Sequence, residues 1–220
     1  MAEAIDYKHI GSRPVRPDGV DKVTGRAEFG GDVSLPGMII GKILRSPHAH
    51  ARIKSIDITD ALAIPGVHAV ITGEDFPGGG ISGEIDGEGG GSISDQAKNV
   101  IARDKVLYHG HALAAVAAIS DRAADRALDA IKVEYEVLSP VLDILEAIDP
   151  DSVLVNENNY TKLPEKPDRP SNIANVGNLV RGDIQEGFER ADVVIEREYV
   201  CPMTHQGYIE PHSCLASVDE

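Results

Sequence analysis

A chain of 220 residues with 42% apolar content has room for one large domain or two small ones, yet with 4% aromatics and no tryptophan its core must come from Ala, Val, Ile and Leu. The formal charge of −15, from 21 basic and 36 acidic residues, would repel a phosphate backbone, which excludes nucleic acid and anionic membranes as partners. The first residues, Met-Ala-Glu-Ala-Ile-Asp-Tyr-Lys, lack the basic start and apolar core of a secretory signal, and no run approaches the roughly 18 apolar residues of a membrane span. A cytoplasmic location is expected, where Cys201 and Cys214 stay reduced and pack as small hydrophobes.

Residues 8–37, rich in Gly, Pro and charge, read as an extended segment lying on a surface. Residues 38–44 and 51–58 have strand character, Thr59 is placed to cap a short helix over 60–64, Pro65-Gly66 ends it, and 67–72 follows as a third strand. The stretch 78–91 holds eight glycines together with Glu84, Asp86 and Glu88, too poor in apolar residues to pack by itself, and is expected to be a long loop. Strands are predicted over 105–108 and 112–119; the second is alanine-rich, but its position directly before a capped helix favours strand. Ser120 caps a helix over 121–130 in which Ala124, Ala127, Leu128 and Ile131 share one face. In 132–138, Val133, Tyr135 and Val137 alternate with Lys132, Glu134 and Glu136, as in a strand with one wet face.

Asn, Pro, Asp and Glu dominate from 149 to 180, so a linker and domain boundary are expected there. Asp183 with Glu186 forms a capping-box pattern before a helix of which Ile184, Phe188 and Ala191 define one face, and strands are predicted over 193–200 and 213–218. The division that follows is an extension over 1–19, a domain over 20–140, a linker over 141–180, and an incomplete α+β segment over 181–220. These last 40 residues are too few to bury a core of their own.

The polar residues near the end of the chain are the densest candidates for chemistry. Cys201, His205, His212 and Cys214 are four acceptable zinc ligands, but the C-x₃-H-x₆-H-x-C spacing matches no common finger, and hydrogen-bonded buried polar residues are the favoured reading. His48-Ala-His50 and His109-Gly-His111 each put two imidazoles on one strand face without a carboxylate or Cys at matching spacing, which favours structural histidines over ligands. The glycine-rich loop lacks a Walker pattern, and its acidic residues would repel phosphate. Glu210 beside His212 is an acid/base pair by proximity alone, and a turn anchored by Glu210-Pro211 is the plainer reading.

Several stretches, taken together and in order, resemble the start of the molybdenum-containing large subunit of the xanthine dehydrogenase, aldehyde oxidase and 4-hydroxybenzoyl-CoA reductase family. They are Asp21-Lys-Val-Thr-Gly-Arg-Ala-Glu-Phe29, Leu44-Arg-Ser-Pro-His-Ala-His-Ala-Arg-Ile53, Pro65-Gly-Val67, Asp104-Lys-Val-Leu-Tyr-His-Gly-His111, Val133-Glu-Tyr135, Gly182-Asp183 with Gly187-Phe188 and Ala191-Asp192, and Tyr208-Ile-Glu-Pro-His212.

The resemblance implies an α/β-hammerhead domain over 20–140, followed by the truncated start of a molybdopterin-binding domain at 181–220. It also implies an oxidoreductase of the molybdenum hydroxylase type, in which this chain contributes substrate-channel and subunit-docking surface, with Gln206, Tyr208, Glu210 and His212 as neighbours of the cofactor domain. The family's pterin contacts and catalytic glutamate come later than the Glu-Pro-His segment, so the isolated chain is expected to be inactive and to bind no cofactor alone. The full complex would hold molybdopterin, iron–sulfur clusters and FAD, on a remaining molybdopterin-binding chain, an iron–sulfur subunit and an FAD subunit, around a small-molecule substrate. The alternatives are a non-catalytic hammerhead module for interaction or assembly and a small zinc-binding protein.

Overall fold

The computed structural model describes residues 8–76, 99–163, 165 and 167–218. The glycine-rich stretch 78–91 lies outside the described residues. Two compact units are present, one formed by residues 38–194 and the other by the N-terminal residues to 37 together with those from 195 onward.

Among the described residues the larger unit is built on six strands: β1 (Ile40–Arg45), β2 (Ala51–Asp57), β3 (Val67–Thr72), β4 (Lys105–Val106), β5 (Ala112–Ala118) and β6 (Lys132–Val137). They form two three-stranded sheets, ordered β1-β5-β3 and β4-β2-β6, with every pairing antiparallel. Strand β5 is the alanine-rich segment, and it forms a strand as the sequence order predicts, because it is the central strand with a ladder on each side.

The first sheet carries its core on one face. Ala114, Val116 and Ala118 of β5 and Val70 of β3 pack against Ala123, Ala124, Ala127 and Ile131, which come from the long helix (Asp121–Ala130) and its C-cap, and against Ala61 of a short helix (Thr59–Leu62). Small side chains on both surfaces let helix and sheet approach closely, which compensates for the scarcity of aromatics. Ser120 caps the long helix, its hydroxyl accepting the Ala123 N–H at 3.3 Å. Lys42 of β1 reaches the same helix at Asp125 (2.6 Å) and Asp121 (3.2 Å). These exposed pairs add little stability.

A second cluster, Ala51, Ala102, Val106 and Leu113, fills the space between the sheets, and Leu44, Ile56 and Val133 border both clusters. Two glycines are needed where chains meet. A Cβ on Gly66, whose φ is +91°, would meet the Ile119 side chain at 2.8 Å, and one on Gly73 would meet the Ala102 carbonyl at 2.9 Å.

The short helix departs from expectation. Thr59 is its first residue instead of its cap, and the Thr59 N–H is held by the Asp57 carboxylate at 2.9 Å. A carboxylate two residues upstream takes the part assigned to the threonine hydroxyl. The strand expected over 105–108 is shorter, ending at Val106.

Beyond β6 a helix (Ile144–Ile148) is capped by Asp143, whose carboxylate accepts the Leu145 and Glu146 N–H groups. The stretch expected as a linker is internally hydrogen-bonded. The Asn172 side chain accepts from Val155 N–H (2.9 Å) and donates to the Val153 carbonyl (2.9 Å), and Asn159 donates to the Ser171 carbonyl at 2.6 Å. Lys105 fixes this lobe to β4 by donating to the Leu154 carbonyl (3.2 Å) and pairing with Glu157 (2.8 Å). Burial raises the Glu157 pKa, but the Lys105 ammonium, a backbone hydrogen bond and Arg52 together outweigh it and the carboxyl lies below its ordinary value.

A further helix (Ile184–Glu189) starts at Asp183, whose side chain accepts the Glu186 N–H at 3.0 Å. The strands expected over 193–200 and 213–218 are absent: those residues have no regular structure and are exposed. Alternation makes a segment competent to be a strand, but a ladder partner is what makes it one, and none of the described residues supplies it.

In the smaller unit, the segment expected to be wholly extended contains a helix (Gly19–Thr24) closed by Gly25 at φ +72°. Arg16, with Lys22, holds the Asp18 carboxyl down at about 2.

Candidate functional site

The turn that leads into the first His-x-His motif bonds to the second motif, about sixty residues on in sequence. The Ser46 N–H donates to the His111 carbonyl at 2.9 Å, and the Gly110 N–H returns a bond to the Ser46 carbonyl at 3.0 Å. His50 and His111 are then buried, at 2% and 0% exposure.

Their partners define their protonation. His50 Nδ1 lies 2.7 Å from the Ser139 carbonyl, which only accepts, so Nδ1 carries the proton; Nε2 is buried without a partner among the described residues. His111 is the opposite tautomer, with Nε2–H donating to the Asn99 carbonyl at 2.7 Å and Nδ1 accepting the Leu107 N–H at 3.3 Å. Burial pushes the His111 pKa down, since a charged ring would be desolvated and its Nδ1–H would confront the Leu107 donor. Both rings hold the backbone together, which is the structural role favoured from spacing alone. His48 and His109 are less buried, and His48 lies edge-on to Tyr135 at 4.8 Å.

The sequence reading passed over Arg103. Its guanidinium donates to the Gly73 carbonyl at 3.1 and 2.7 Å and to the Phe76 carbonyl, tying the end of β3 to the segment that enters β4. The signal was an arginine set directly after Val100-Ile101-Ala102, where a charge needs a reason to be near the core.

The candidates near the end of the chain lie in the smaller unit. Three of them are neighbours: Tyr208 stands between the rings of His205 (4.9 Å) and His212 (5.0 Å), and the Gly207 N–H donates to His205 Nδ1 at 3.0 Å. Gly207 takes φ +73°, which turns the chain so that these rings meet. Among the described residues Gln206 and Glu210 have no hydrogen-bond or ion-pair partner, and Glu210 and His212 form no pair. Cys201 and Cys214 are both exposed thiols. No three His, Cys, Asp or Glu residues among those described come together in a metal-ligating group. Every residue from 195 to 218 is exposed, so the walls of a molybdopterin cradle are not assembled from this stretch alone.

Comparison with known proteins gives these motifs a setting. The family model for the aldehyde oxidase and xanthine dehydrogenase a/b hammerhead domain matches residues 24–139, more than half of the chain. The chain belongs to that family.

A second model, the molybdopterin cofactor-binding domain, matches residues 165–220. Among hammerhead relatives, the chain is 36% identical to a probable xanthine dehydrogenase subunit of Bacillus subtilis (strain 168), over 92% of this chain and 24% of the relative. It is 33% identical to the nicotinate dehydrogenase large molybdopterin subunit of Eubacterium barkeri, over 97% of this chain and 45% of that protein. The crystal structure of quinoline 2-oxidoreductase from Pseudomonas putida 86 superposes on 68% of this chain and 19% of its own, with a TM-score of 0.56 and 34% identity.

The chain therefore spans between about a quarter and under half of the curated relatives' length. The α+β architecture with two small antiparallel sheets is the hammerhead fold expected from the sequence motifs. Among the described residues no helix is long and apolar enough to cross a membrane.

Proposed function

We propose that the chain supplies the hammerhead and the first stretch of the molybdopterin-binding region to the large subunit of a molybdenum hydroxylase, an oxidoreductase. Catalysis then belongs to the assembled enzyme, with molybdopterin held mainly by residues outside this chain. Electrons would leave through iron–sulfur and FAD components on partner subunits. Within the assembly Gln206, Tyr208, Glu210 and His212 stand beside the cofactor domain, and the hammerhead lines the route of a small-molecule substrate.

The observation that carries this reading is the matched order, hammerhead then molybdopterin-binding domain, over a segment whose apolar residues lack partners. Ile195 is 75% exposed, Tyr199 84%, Met203 100% and Ile209 96%. Apolar side chains alternating along an unpaired segment are stable only when another sheet or core receives them.

The test is co-expression with a chain carrying the part of the Bacillus subtilis relative that lies beyond its match to this one, followed by native mass spectrometry and pterin fluorescence of the released cofactor. A stoichiometric complex containing molybdopterin is expected. A monomer beside an empty partner would overturn the proposal and leave a non-catalytic interaction module as the better reading.

A further inference from the structure

Among the described residues the first sheet is covered along one side, with the second cluster burying only Leu113 at one end of β5. Its helix-facing side holds Val70, Ala114, Val116 and Ala118 in the core, while the opposite side presents two cross-strand rows fixed by the register. One row is Ile43–Ala115–Ile71 and the other is Gly41–Ala117–Ala69. Ile43 is 47% exposed and Ile71 36%, Gly41 and Ala69 are exposed, and Ala115 and Ala117 are half-buried.

The two rows contain no charge, on a chain whose formal charge is −15. Two isoleucines on the edge strands flank alanines on the central one, and glycine and alanine complete the second row. The result is a shallow apolar trough that an incoming element can approach as closely as the long helix does on the other side. At its near end the exposed Arg45 donates to the Gly110 carbonyl at 2.9 Å. A transient partner steered to an acidic protein would meet charge at its contact, whereas an uncharged face of this kind suits a permanent interface.

We propose that this face is the docking surface for the remainder of the molybdopterin-binding region. The inference rests on the function proposed above. Two further facts favour this occupant. The sheet belongs to the same compact unit, residues 38–194, that continues into the matched molybdopterin-binding stretch beginning at residue 165, so the face is covalently continuous with that region. In the Bacillus subtilis relative this chain corresponds to 24% of the length, so that protein has a large body of further chain with which to cover the equivalent sheet.

The experiment uses the complex described above, with Ile43→Lys and Ala117→Glu in the open face and Lys54→Glu on the exposed face of β2 as control. Ile43→Ser, which removes the apolar group without adding charge, guards against a variant that misfolds, and circular dichroism of each free chain checks the fold. The open-face variants are expected to bind the partner chain at least about tenfold more weakly, with Lys54→Glu unchanged. A wild-type complex that survives all three open-face substitutions overturns the docking surface and leaves the functional reading intact. Absence of any wild-type complex overturns both. A wild-type chain that dimerises alone and becomes monomeric on Ile43→Lys assigns the face to a second copy and also overturns the proposal.

Discussion

At the scale of single residues the histidines are the most informative. His111 is fully buried with both ring nitrogens engaged, so the fold accepts it only as the neutral Nε2–H tautomer. Its folded pKa is depressed below the ordinary 6.5. The unfolded chain therefore binds a proton more readily, and the stability His111 contributes is present above about pH 6.5 and lost as pH falls through the folded value. Urea unfolding of the wild type should weaken on acidification from pH 7 to 5, more steeply than that of His111→Gln, which keeps a donor and an acceptor but cannot titrate. At pH 7 a His111→Phe variant should lose about 1–3 kcal/mol, because the Leu107 N–H and the Asn99 carbonyl lose their partner. Equal pH slopes for wild type and His111→Gln would remove His111 as the cause.

The long helix shows what can be read at the scale of an element. Ser120 was legible as its cap and Ala124, Ala127 and Ile131 as its buried face, because capping and helical spacing are local rules, and the structure has both. Ser120→Ala should cost about 1 kcal/mol in thermal or urea unfolding, and Ser120→Asp should restore most of it. A Ser120→Ala protein as stable as the wild type would show that the tertiary contacts of this helix alone set its start. The short helix after β2 was misread at its cap because Asp57 and Thr59 are both capable side chains, and only the path of the backbone decides which one reaches the N–H. Arg103 was missed for a related reason: its carbonyl acceptors, on Gly73 and Phe76, lie some thirty residues away and no spacing rule connects them.

Over the whole molecule, stability is unevenly distributed. The two core clusters draw on residues between Leu44 and Tyr135, whereas the residues from 174 to 218 are exposed throughout. A chain ending at residue 180 should therefore unfold at the same urea midpoint as the whole one, and hydrogen exchange in residues 193–218 of the free chain should be unprotected. In the complex with a molybdopterin-binding partner the same amides should slow as they gain ladder bonds. A marked drop in midpoint on truncation would mean that the C-terminal stretch contributes to the core after all.

The sequence by itself determined the family, the α+β class and the strand character of the alanine-rich β5, because motif order, caps and alternation are written along the chain and act over a few residues. Only the tertiary structure decided that Ser46, just ahead of the first His-x-His motif, bonds to the second, that His50 and His111 adopt opposite tautomers, that Arg103 ties β3 to the entry of β4, and that the 193–200 and 213–218 segments stay without strand structure. Each of those depends on a partner distant in sequence: an acceptor carbonyl brought close by folding, or a ladder strand that the described residues do not include.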